Sequence, residues 1–307
     1  MNKSYNTREK YTYKPISVPG GGFVTGFVFH PEVPDILYCR TDIGGTYRYD
    51  FDTNSWMSLI DHATDIDVWE TYPLSIALDR QNPSYIYIMV GLYPNHKIAF
   101  SKDYGANFIY FNPPIIDEKG NTTTIHGNAP GRSTGERLVV DPHDSNTLYM
   151  GTMEDGLWKT IDRCKTWTRL NIQYPGKESE KGISFIEIDP ISKRIAVATS
   201  GEMGSLGKDI RGQSVYISSD GGLSFKPLKG EPAPVLGGPK DHPGYVGQRA
   251  AFLDKYLFVS YTAYNIGWSN WNTYGCDTGK SYDGALFRFE LDDGGEVIEA
   301  LDITPPI

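Results

Sequence analysis

The 307-residue sequence is poor in cysteine, in long apolar runs and in clustered basic charge. Its three cysteines are odd in number and irregularly spaced, so they indicate neither a disulfide framework nor a CxxC metal pair. No apolar stretch has the length of a membrane-spanning helix, and the first ten residues lack the apolar segment of a secretory signal. The net charge of −9 argues against nucleic acid or an anionic membrane as partner. These absences assign no cellular compartment.

The sequence also lacks the motifs that are typical of metal binding and phosphate binding. The six histidines show neither an HxxH nor an HExxH spacing, so we expect no metal site. The glycines at 20–22 precede a strand-like segment and not a helix, which excludes a phosphate-binding loop. We therefore expect no cofactor.

What the sequence does contain is glycine (33), tyrosine (21) and proline (20), while runs of helix-forming residues are scarce. This composition is typical of many short strands that are joined by turns. The acidic, aromatic-bearing character is compatible with a neutral, hydroxyl-rich ligand such as a polysaccharide or oligosaccharide.

Three octets repeat the pattern S/T-x-D-x-G-x-S/T/N-W/F, and their aspartates are 59 and 58 residues apart. The pattern is similar to the Asp-box (BNR-like) hairpin of β-propellers. The aspartate would cap backbone N–H groups of its own turn, and the closing aromatic residue would pack between sheets. Cys164 stands at the glycine position of its octet, where we interpret it as a tolerated turn substitution. The octets are Ser101–Phe108, Thr160–Trp167 and Ser218–Phe225.

A second repeated element, of two apolar strands joined by a turn, precedes each octet. Two eroded octets complete the series, so the chain is predicted to be all-β, a single propeller domain over residues 1–307 with about five blades, residues 1–10 being disordered. Insertions at 61–73, 92–100, 112–135, 201–213 and 228–248 are expected on one face, where binding loops gather. The strand pairs are Phe27–Tyr38, Ile76–Ile88, Leu138–Met150, Phe185–Val197 and Ala251–Tyr261. The eroded octets are Tyr49–Trp56 and Phe289–Val297.

Asp42, in the block TDIGG, is the carboxylate that could carry chemistry. One interpretation is that it merely caps a Gly-Gly turn between strands one and two of the first blade. The alternative is a carboxylate at the mouth of the propeller beside Arg40 or Arg48, where it would suit general-base work on a water molecule. The sequence leaves both open.

Six further segments stand out along the chain. They are Gly20–Pro31, Leu37–Arg48, Ser75–Asp79, Gly131–Leu138, Gly151–Lys159 and Asp302–Pro305. Together they resemble glycoside hydrolase family 74, in order from about residue 11 to the end of the chain.

The resemblance implies endo-xyloglucanase chemistry with inversion, by enzymes of two seven-bladed propellers with the substrate cleft between them. It implies that Asp42 is the general base and that the general acid belongs to the second propeller. The chain would then be part of the first propeller, with five of seven blades and without the acid.

Substrate contacts are predicted at six positions. Arg132 and Glu136, in the block GRSTGERL, could bind sugar hydroxyls, or Glu136 and Arg137 could instead pin the 112–135 loop to its blade. Exposed aromatic residues in the insertions could stack on pyranose faces, although packing is the commoner role of an aromatic side chain. These aromatic residues are Trp69, Tyr93, Tyr264 and Trp268.

Two classes of function follow from these observations. The first is a glycoside hydrolase that acts on xyloglucan or related β-1,4-glucans, with the isolated chain not necessarily active. The second is a non-catalytic propeller that binds a glycan or another partner, favoured by the missing second carboxylate. A sialidase would need three converging arginines and a Tyr/Glu nucleophile pair, and the arginines here do not follow that pattern.

Overall fold

The computed structural model describes residues 17–18, 20–62, 68–92, 94–128, 132, 134–172, 182–200, 215–232, 245–263 and 284–305. These residues form five antiparallel sheets of four strands each. Every sheet runs in simple up-and-down order, with each strand paired to the next along the chain. Each sheet is one blade, as the repeated strand pairs and octets predict.

The bounds of the strands follow the repeat. Blade 1 contains β1 (Val24–Phe29), β2 (Leu37–Thr41), β3 (Thr46–Asp50) and β4 (Ser55–Ser58). Blade 2, preceded by the 3-10 helix η1 (Val68–Thr71), contains β5 (Pro73–Leu78), β6 (Ile86–Leu92), β7 (Asn95–Ser101) and β8 (Ile109–Phe111). Blade 3 contains β9 (Leu138–Asp141), β10 (Asp144–Gly151), β11 (Leu157–Thr160) and β12 (Thr168–Leu170). Blade 4 contains β13 (Gly182–Ile188), β14 (Ile195–Ser200), β15 (Val215–Ser218) and β16 (Lys226–Pro227). Blade 5 contains β17 (Tyr245–Leu253), β18 (Tyr256–Ala263), β19 (Gly284–Leu291) and β20 (Val297–Asp302).

The blades lie side by side in chain order around a propeller ring. The first strands of successive blades contact one another, β1 with β5, β5 with β9, β9 with β13 and β13 with β17. The apolar core fills the spaces between neighbouring blades, because each sheet presents one row of side chains to each neighbour. Tyr38 of blade 1 packs there with Ile88 of blade 2, and Phe185 of blade 4 packs with Phe289 of blade 5.

Two faces of the ring carry different parts of each repeat. The connections between blades and the turns from second to third strand lie on one face, here called the site face. The turns from third to fourth strand, which hold the Asp boxes, lie on the opposite face. The strands that flank the predicted insertions 112–135, 201–213 and 228–248 therefore end or begin at the site face. Residues 201–213 and 233–244 lie outside the described residues.

The Asp boxes are hydrogen-bonded as their pattern predicts. Asp162 accepts the backbone N–H of Thr166 at 2.9 Å and the hydroxyls of Thr166 at 2.6 Å and Thr160 at 2.8 Å. The hydrogen bond from the Thr166 hydroxyl and the others lower the pKa of this carboxyl to about 2. Cys164 has a φ of +66° and is buried, so it occupies the glycine position of the turn as interpreted above. The boxes of Asp103 and Asp220 are built in the same way.

Two predicted insertions are shorter than expected. Residues 92–100 are largely strand β7. This strand begins with the polar residues Asn95, His96 and Lys97, of which His96 is buried in the structure. The predicted insertion 228–248 ends earlier, because β17 begins at Tyr245. The predicted disordered stretch 1–10 lies outside the residues described. Among the described residues, no helix is both long and apolar enough to cross a membrane.

Candidate functional site

The turn that carries Asp42 joins β2 to β3 on the site face. Thr41 caps this turn: its hydroxyl accepts the Gly44 N–H at 2.8 Å and donates to the Gly45 carbonyl at 3.0 Å. Gly45 has a φ of +84°, a left-handed conformation that glycine adopts without strain. The interpretation that Asp42 caps the Gly-Gly turn is therefore wrong, because a threonine hydroxyl performs that role.

The carboxylate of Asp42 instead faces the loop that precedes β1. Its Oδ1 accepts the Phe23 N–H at 2.7 Å, and the Asp42 N–H donates to the Phe23 carbonyl at 3.0 Å. Its Oδ2 lies 3.4 Å from the guanidinium Nε of Arg132. The side chain of Asp42 is 11% exposed. One oxygen is thus fixed by the backbone and the other is paired with a cation, and both side chains are mostly buried.

Arg132 is the cation beside Asp42, where the sequence suggested Arg40 or Arg48. Arg48 lies between blades 1 and 2 with its guanidinium 4.8 Å from the centre of the Tyr104 ring. Arg40 is fully buried beneath the site face. Neither of these two arginines forms an ion pair with Asp42 in the part of the chain described here.

Arg40 is the centre of a buried network under the site. Its Nη1 donates to the Thr25 hydroxyl at 2.8 Å and to the Arg132 carbonyl at 2.7 Å. Its Nη2 donates to the Thr134 carbonyl at 2.9 Å. Arg249, in β17, donates to the carbonyls of Thr25 at 3.2 Å and Thr134 at 3.5 Å. The network therefore joins blade 1, the segment before blade 3 and blade 5.

Glu136 belongs to the same network. Its Oε1 accepts from Arg40 Nε at 3.0 Å, and its Oε2 accepts from the Ser75 hydroxyl at 2.8 Å and the Ile76 N–H at 2.7 Å. Arg137 is fully buried and its Nη2 donates to the Thr134 hydroxyl. These contacts favour the pinning interpretation for Glu136 and Arg137, and a sugar contact by Glu136 stays a prediction.

Of the four aromatic residues predicted to touch substrate, Trp69 lies in the described structure. It is part of η1, it is half-buried, and it packs edge-on against Tyr110 with ring centres 5.4 Å apart. The end of η1 borders the Asp42 turn, because the Gly45 N–H donates to the Thr71 carbonyl at 2.9 Å. Trp69 is therefore near the site face but largely packed. Tyr93, Tyr264 and Trp268 lie outside the described residues.

Two polar groups near the site were not found from the sequence. Glu70 is buried in η1, and its Oε2 accepts from the Tyr110 hydroxyl at 2.7 Å and lies 3.0 Å from His62 Nε2. Burial lowers the pKa of His96 to about 4 and also lowers that of His126, which lies close to it. No residue spacing signals either group, because their members come from separate elements.

The described residues hold no group of three or more His, Cys, Asp or Glu side chains that could bind a metal ion. The site is thus built from one paired carboxylate, one arginine and backbone groups. Such a set can accept a proton and orient hydroxyl groups.

No protein-family model matches the chain. A xyloglucanase of Paenibacillus sp is 35% identical over 249 residues, which cover 74% of this chain and 23% of that protein. A xyloglucanase of Acetivibrio thermocellus is 32% identical over 309 residues, which cover 93% of this chain and 32% of that protein. The chain thus spans about a quarter to a third of the length of these relatives.

The solved structure of a GH74 enzyme from Niastella koreensis superposes with a TM-score of 0.70 at 28% identity, over 94% of this chain and 38% of that one. Fold, repeat and relatives together define an Asp-box β-propeller of the xyloglucanase type. The chain belongs to glycoside hydrolase family 74.

Proposed function

We propose that this propeller is the base-carrying part of an inverting glycoside hydrolase that cleaves xyloglucan or related β-1,4-glucans. The observation that supports it is the carboxylate of Asp42 on the site face, held by the Phe23 N–H and by Arg132 within a family 74 propeller. The relatives are named xyloglucanases, which supports xyloglucan as the substrate.

In this proposal Asp42 is the general base. It takes a proton from a water molecule whose oxygen bonds to the anomeric carbon while the glycosidic C–O bond breaks. A general acid protonates the departing oxygen from the opposite side, and inversion requires the two carboxyl groups to be about 6.5–9.5 Å apart. We assign that acid to a second propeller, outside this chain, so that the substrate lies between the two.

Arg132 has two proposed tasks. Its guanidinium, 3.4 Å from Asp42 Oδ2, orients the carboxylate, and as a polar group of the site face it would bind a sugar hydroxyl. We further propose that Tyr93, Tyr264 and Trp268 stack on pyranose rings and that Trp69 supports the Asp42 turn. Aromatic faces suit the apolar faces of sugars.

The experiment compares Asp42→Asn with the unchanged protein on xyloglucan, with carboxymethylcellulose as the unsubstituted glucan, by assay of new reducing ends. It uses the chain alone and the chain joined to, or mixed with, a second propeller of the family. Asp42→Asn should lower the rate about 10²–10⁴-fold, the range for loss of a general base. Asp155→Asn, in the corresponding turn of blade 3, is the matched control and should keep the rate. Full activity of Asp42→Asn would contradict the proposal.

A second candidate function is a propeller that binds glycan without cleaving it. The observation that favours it is the small exposure of Asp42, whose two oxygens are both engaged. Calorimetric binding of xyloglucan oligosaccharides, with no hydrolysis even beside a second propeller, would support this function. Hydrolysis that is lost in Asp42→Asn would reject it.

A further inference from the structure

Arg40 is a fully buried arginine whose hydrogen bonds converge on one short segment of the chain. Its guanidinium is held on one side by the Thr25 hydroxyl and by Glu136. On the other side it donates to the carbonyls of Arg132 at 2.7 Å and of Thr134 at 2.9 Å. The two bonds hold the backbone on both sides of position 133. A planar guanidinium forms such a fork, and an ammonium group does not.

The segment that Arg40 holds is the one that brings Arg132 to Asp42. The Arg132 backbone is tied to Arg40 at its carbonyl, and its side chain lies 3.4 Å from Asp42 Oδ2. The Arg132 Nη1 also lies 3.4 Å from the Asn128 carbonyl, a weak contact within the same segment. The bond from Arg40, at 2.7 Å, is therefore a direct restraint on the Arg132 backbone.

The charge of Arg40 is balanced by Glu136. This carboxylate contacts Nε and leaves Nη1 and Nη2 to bind the carbonyls of Arg132 and Thr134. Glu136 accepts its Nε–H at 3.0 Å and is itself anchored by Ser75 and Ile76 in β5. A buried guanidinium needs such a partner, since an uncompensated buried charge is strongly destabilising. Glu136 thereby fixes Arg40 to blade 2, while Arg40 fixes Arg132 above it.

We infer that Arg40 is a positioning residue that acts through the Arg132 backbone to set the guanidinium of Arg132 against Asp42, with Glu136 as its anchor. The inference rests on the proposed function, because it concerns how the base of that reaction is oriented. Arg40 is fully buried, and through Arg132 it would affect the carboxylate of Asp42, two residues further along the chain.

Arg194 provides a matched control. It is also buried, it is paired with Asp189 at 2.8 Å, and it donates to the carbonyls of Asp292 and Asp254, each at 3.2 Å. It therefore joins blades 4 and 5 with the same chemistry as Arg40. Its contacts do not include the segment that carries Arg132.

The test uses the full chain with the variants Arg40→Lys, Arg132→Ala, their combination and Arg194→Lys. Binding of xyloglucan oligosaccharides is measured by calorimetry, hydrolysis beside a second propeller by reducing-end assay, and stability by thermal unfolding. Arg40→Lys should lower kcat/KM or the association constant about 10-fold or more, since small misplacements of a catalytic group cost up to 10²-fold. Arg40→Lys and Arg194→Lys should lower the melting temperature by similar amounts, while Arg194→Lys should leave binding and hydrolysis unchanged.

The double variant distinguishes positioning from a purely structural role. If Arg40 acts through Arg132, Arg40→Lys should add no further loss to Arg132→Ala. Independent, multiplied losses would overturn the inference, and so would equal losses in Arg194→Lys. If Arg40→Lys does not fold, Thr25→Val, which removes only the hydroxyl that holds Nη1, should still weaken binding or hydrolysis while the fold is kept. An unchanged Thr25→Val would then overturn the inference.

Crystal structures separate this inference from the proposed function. In Arg40→Lys the distance between Arg132 Nε and Asp42 Oδ2 should exceed 4 Å, whereas in Arg194→Lys it should stay near the 3.4 Å observed here. A displaced Arg132 in a protein that neither binds nor cleaves xyloglucan would support the inference and contradict the proposed function. An Arg132 that stays in place in Arg40→Lys would overturn the inference whatever the activity.

Discussion

Two turns on the site face have the same backbone and differ in the residue that follows their threonine. In blade 1 the turn is Thr41–Gly45 and in blade 3 it is Thr152–Gly156. In each the threonine N–H donates to the glycine carbonyl, at 3.1 and 3.0 Å, and the threonine hydroxyl caps the turn. The final glycine has a φ of +84° in one turn and +80° in the other.

The residue after the threonine is Asp42 in blade 1 and Met153 in blade 3. Both donate their N–H to the preceding loop, to Phe23 and Thr124. Met153 is fully buried in the apolar core, whereas the Asp42 carboxylate, itself mostly buried, lies beside the charged Arg132. In blade 3 the loop N–H of Thr124 is instead bound by Asp155, two residues later.

This hairpin does not require a carboxylate at its second position to cap the turn, because a threonine hydroxyl caps it in both blades. In blade 1 the aspartate at 42 holds the Phe23 N–H with one oxygen and faces Arg132 with the other. In blade 3 these positions are divided, because Asp155 holds the loop and the methionine at 153 belongs to the core.

The largest effect on stability is expected when the blade 3 turn receives an aspartate at the position that Asp42 occupies in blade 1. Met153→Asp places a carboxylate in the apolar core between blades, and we expect a loss of about 3–5 kcal/mol in the free energy of unfolding. Met153→Leu, which keeps the volume, should cost less than about 1.5 kcal/mol. Urea denaturation measures both. A stable Met153→Asp would show that blade 3 tolerates a charge at this position and would remove the contrast.

The next largest difference in stability between the two turns is expected when their final glycines, Gly45 and Gly156, are replaced. A Cβ at Gly45 would lie 2.3 Å from Ile60 Cδ1, whereas a Cβ at Gly156 would meet nothing closer than Arg169 at 3.4 Å. Both substitutions to alanine carry the cost of a left-handed residue, about 1–2 kcal/mol. Gly45→Ala should lose roughly 1 kcal/mol more, because Ile60 must move. Equal losses by urea denaturation would contradict the tighter packing of the blade 1 turn.

Acid should lower the free energy of unfolding through the buried histidines near the blade 3 turn. His96 lies beside Thr123 and His126, and burial holds its pKa at about 4 in the folded chain against 6.5 ordinarily. The unfolded chain then binds the proton more readily, so stability is full above pH 6.5 and is lost as pH falls towards 4, by roughly 2–3 kcal/mol. Arg132, which lowers the pKa of His126, adds to the same trend.

Unfolding curves between pH 7 and pH 4 check this expectation. His96→Gln removes the titrating ring and should flatten the dependence. A curve of unchanged slope in His96→Gln would show that other groups cause the acid sensitivity.

A smaller loss is expected for Asp155→Ala. The Thr124 N–H would lose the carboxylate that accepts it at 2.8 Å, and an unpaired N–H of this kind costs about 1–2 kcal/mol. Urea denaturation measures the loss, with Asp155→Asn as the control that keeps an acceptor oxygen. No loss in Asp155→Ala would mean that the loop of blade 3 is held without this bond.

The smallest effect on stability should come from Asp42→Asn. Its amide oxygen still accepts the Phe23 N–H, and the contact that is lost is long, with 3.4 Å between Asp42 Oδ2 and Arg132 Nε. Both side chains are mostly buried, but an amide of the same shape keeps the packing, so we expect a loss of about 1 kcal/mol. A loss as large as that of Asp155→Ala would break the comparison, because the carboxylate would then be needed by the hairpin.

The scaffold was predictable because its signals are local. Each Asp box is closed by bonds between residues at most four positions apart, such as Asp162 with Thr166, so the pattern itself specifies the turn. Strand β7 was mistaken for an insertion because its first residues are polar, and only the neighbouring blade shows that His96 is buried. Local patterns do not report burial by a distant segment.

The sequence singled out Asp42 and Arg132 separately, and it did not pair them. Asp42 stands in a distinctive block, but its ion partner lies 90 positions further along the chain, so no spacing indicates that the two meet. The capping role of Thr41 was missed because an aspartate beside glycines is equally suited to it. The roles of Glu136 and Arg40 depend on contacts between blades, which no spacing along the chain encodes.

Arg249 has a consequence for the order in which the protein becomes complete during synthesis. Its bond to the Thr25 carbonyl joins residues 224 positions apart, the last described blade to the first. Each blade can form soon after it leaves the ribosome, since its strands are neighbours along the chain. The bonds from Arg249 to the carbonyls of Thr25 and Thr134, however, must wait for the fifth blade. We expect a nascent chain to contain folded blades well before the surroundings of Asp42 take their final shape. Blade 1, which is synthesised first, would therefore complete its contacts only after blade 5 has been synthesised.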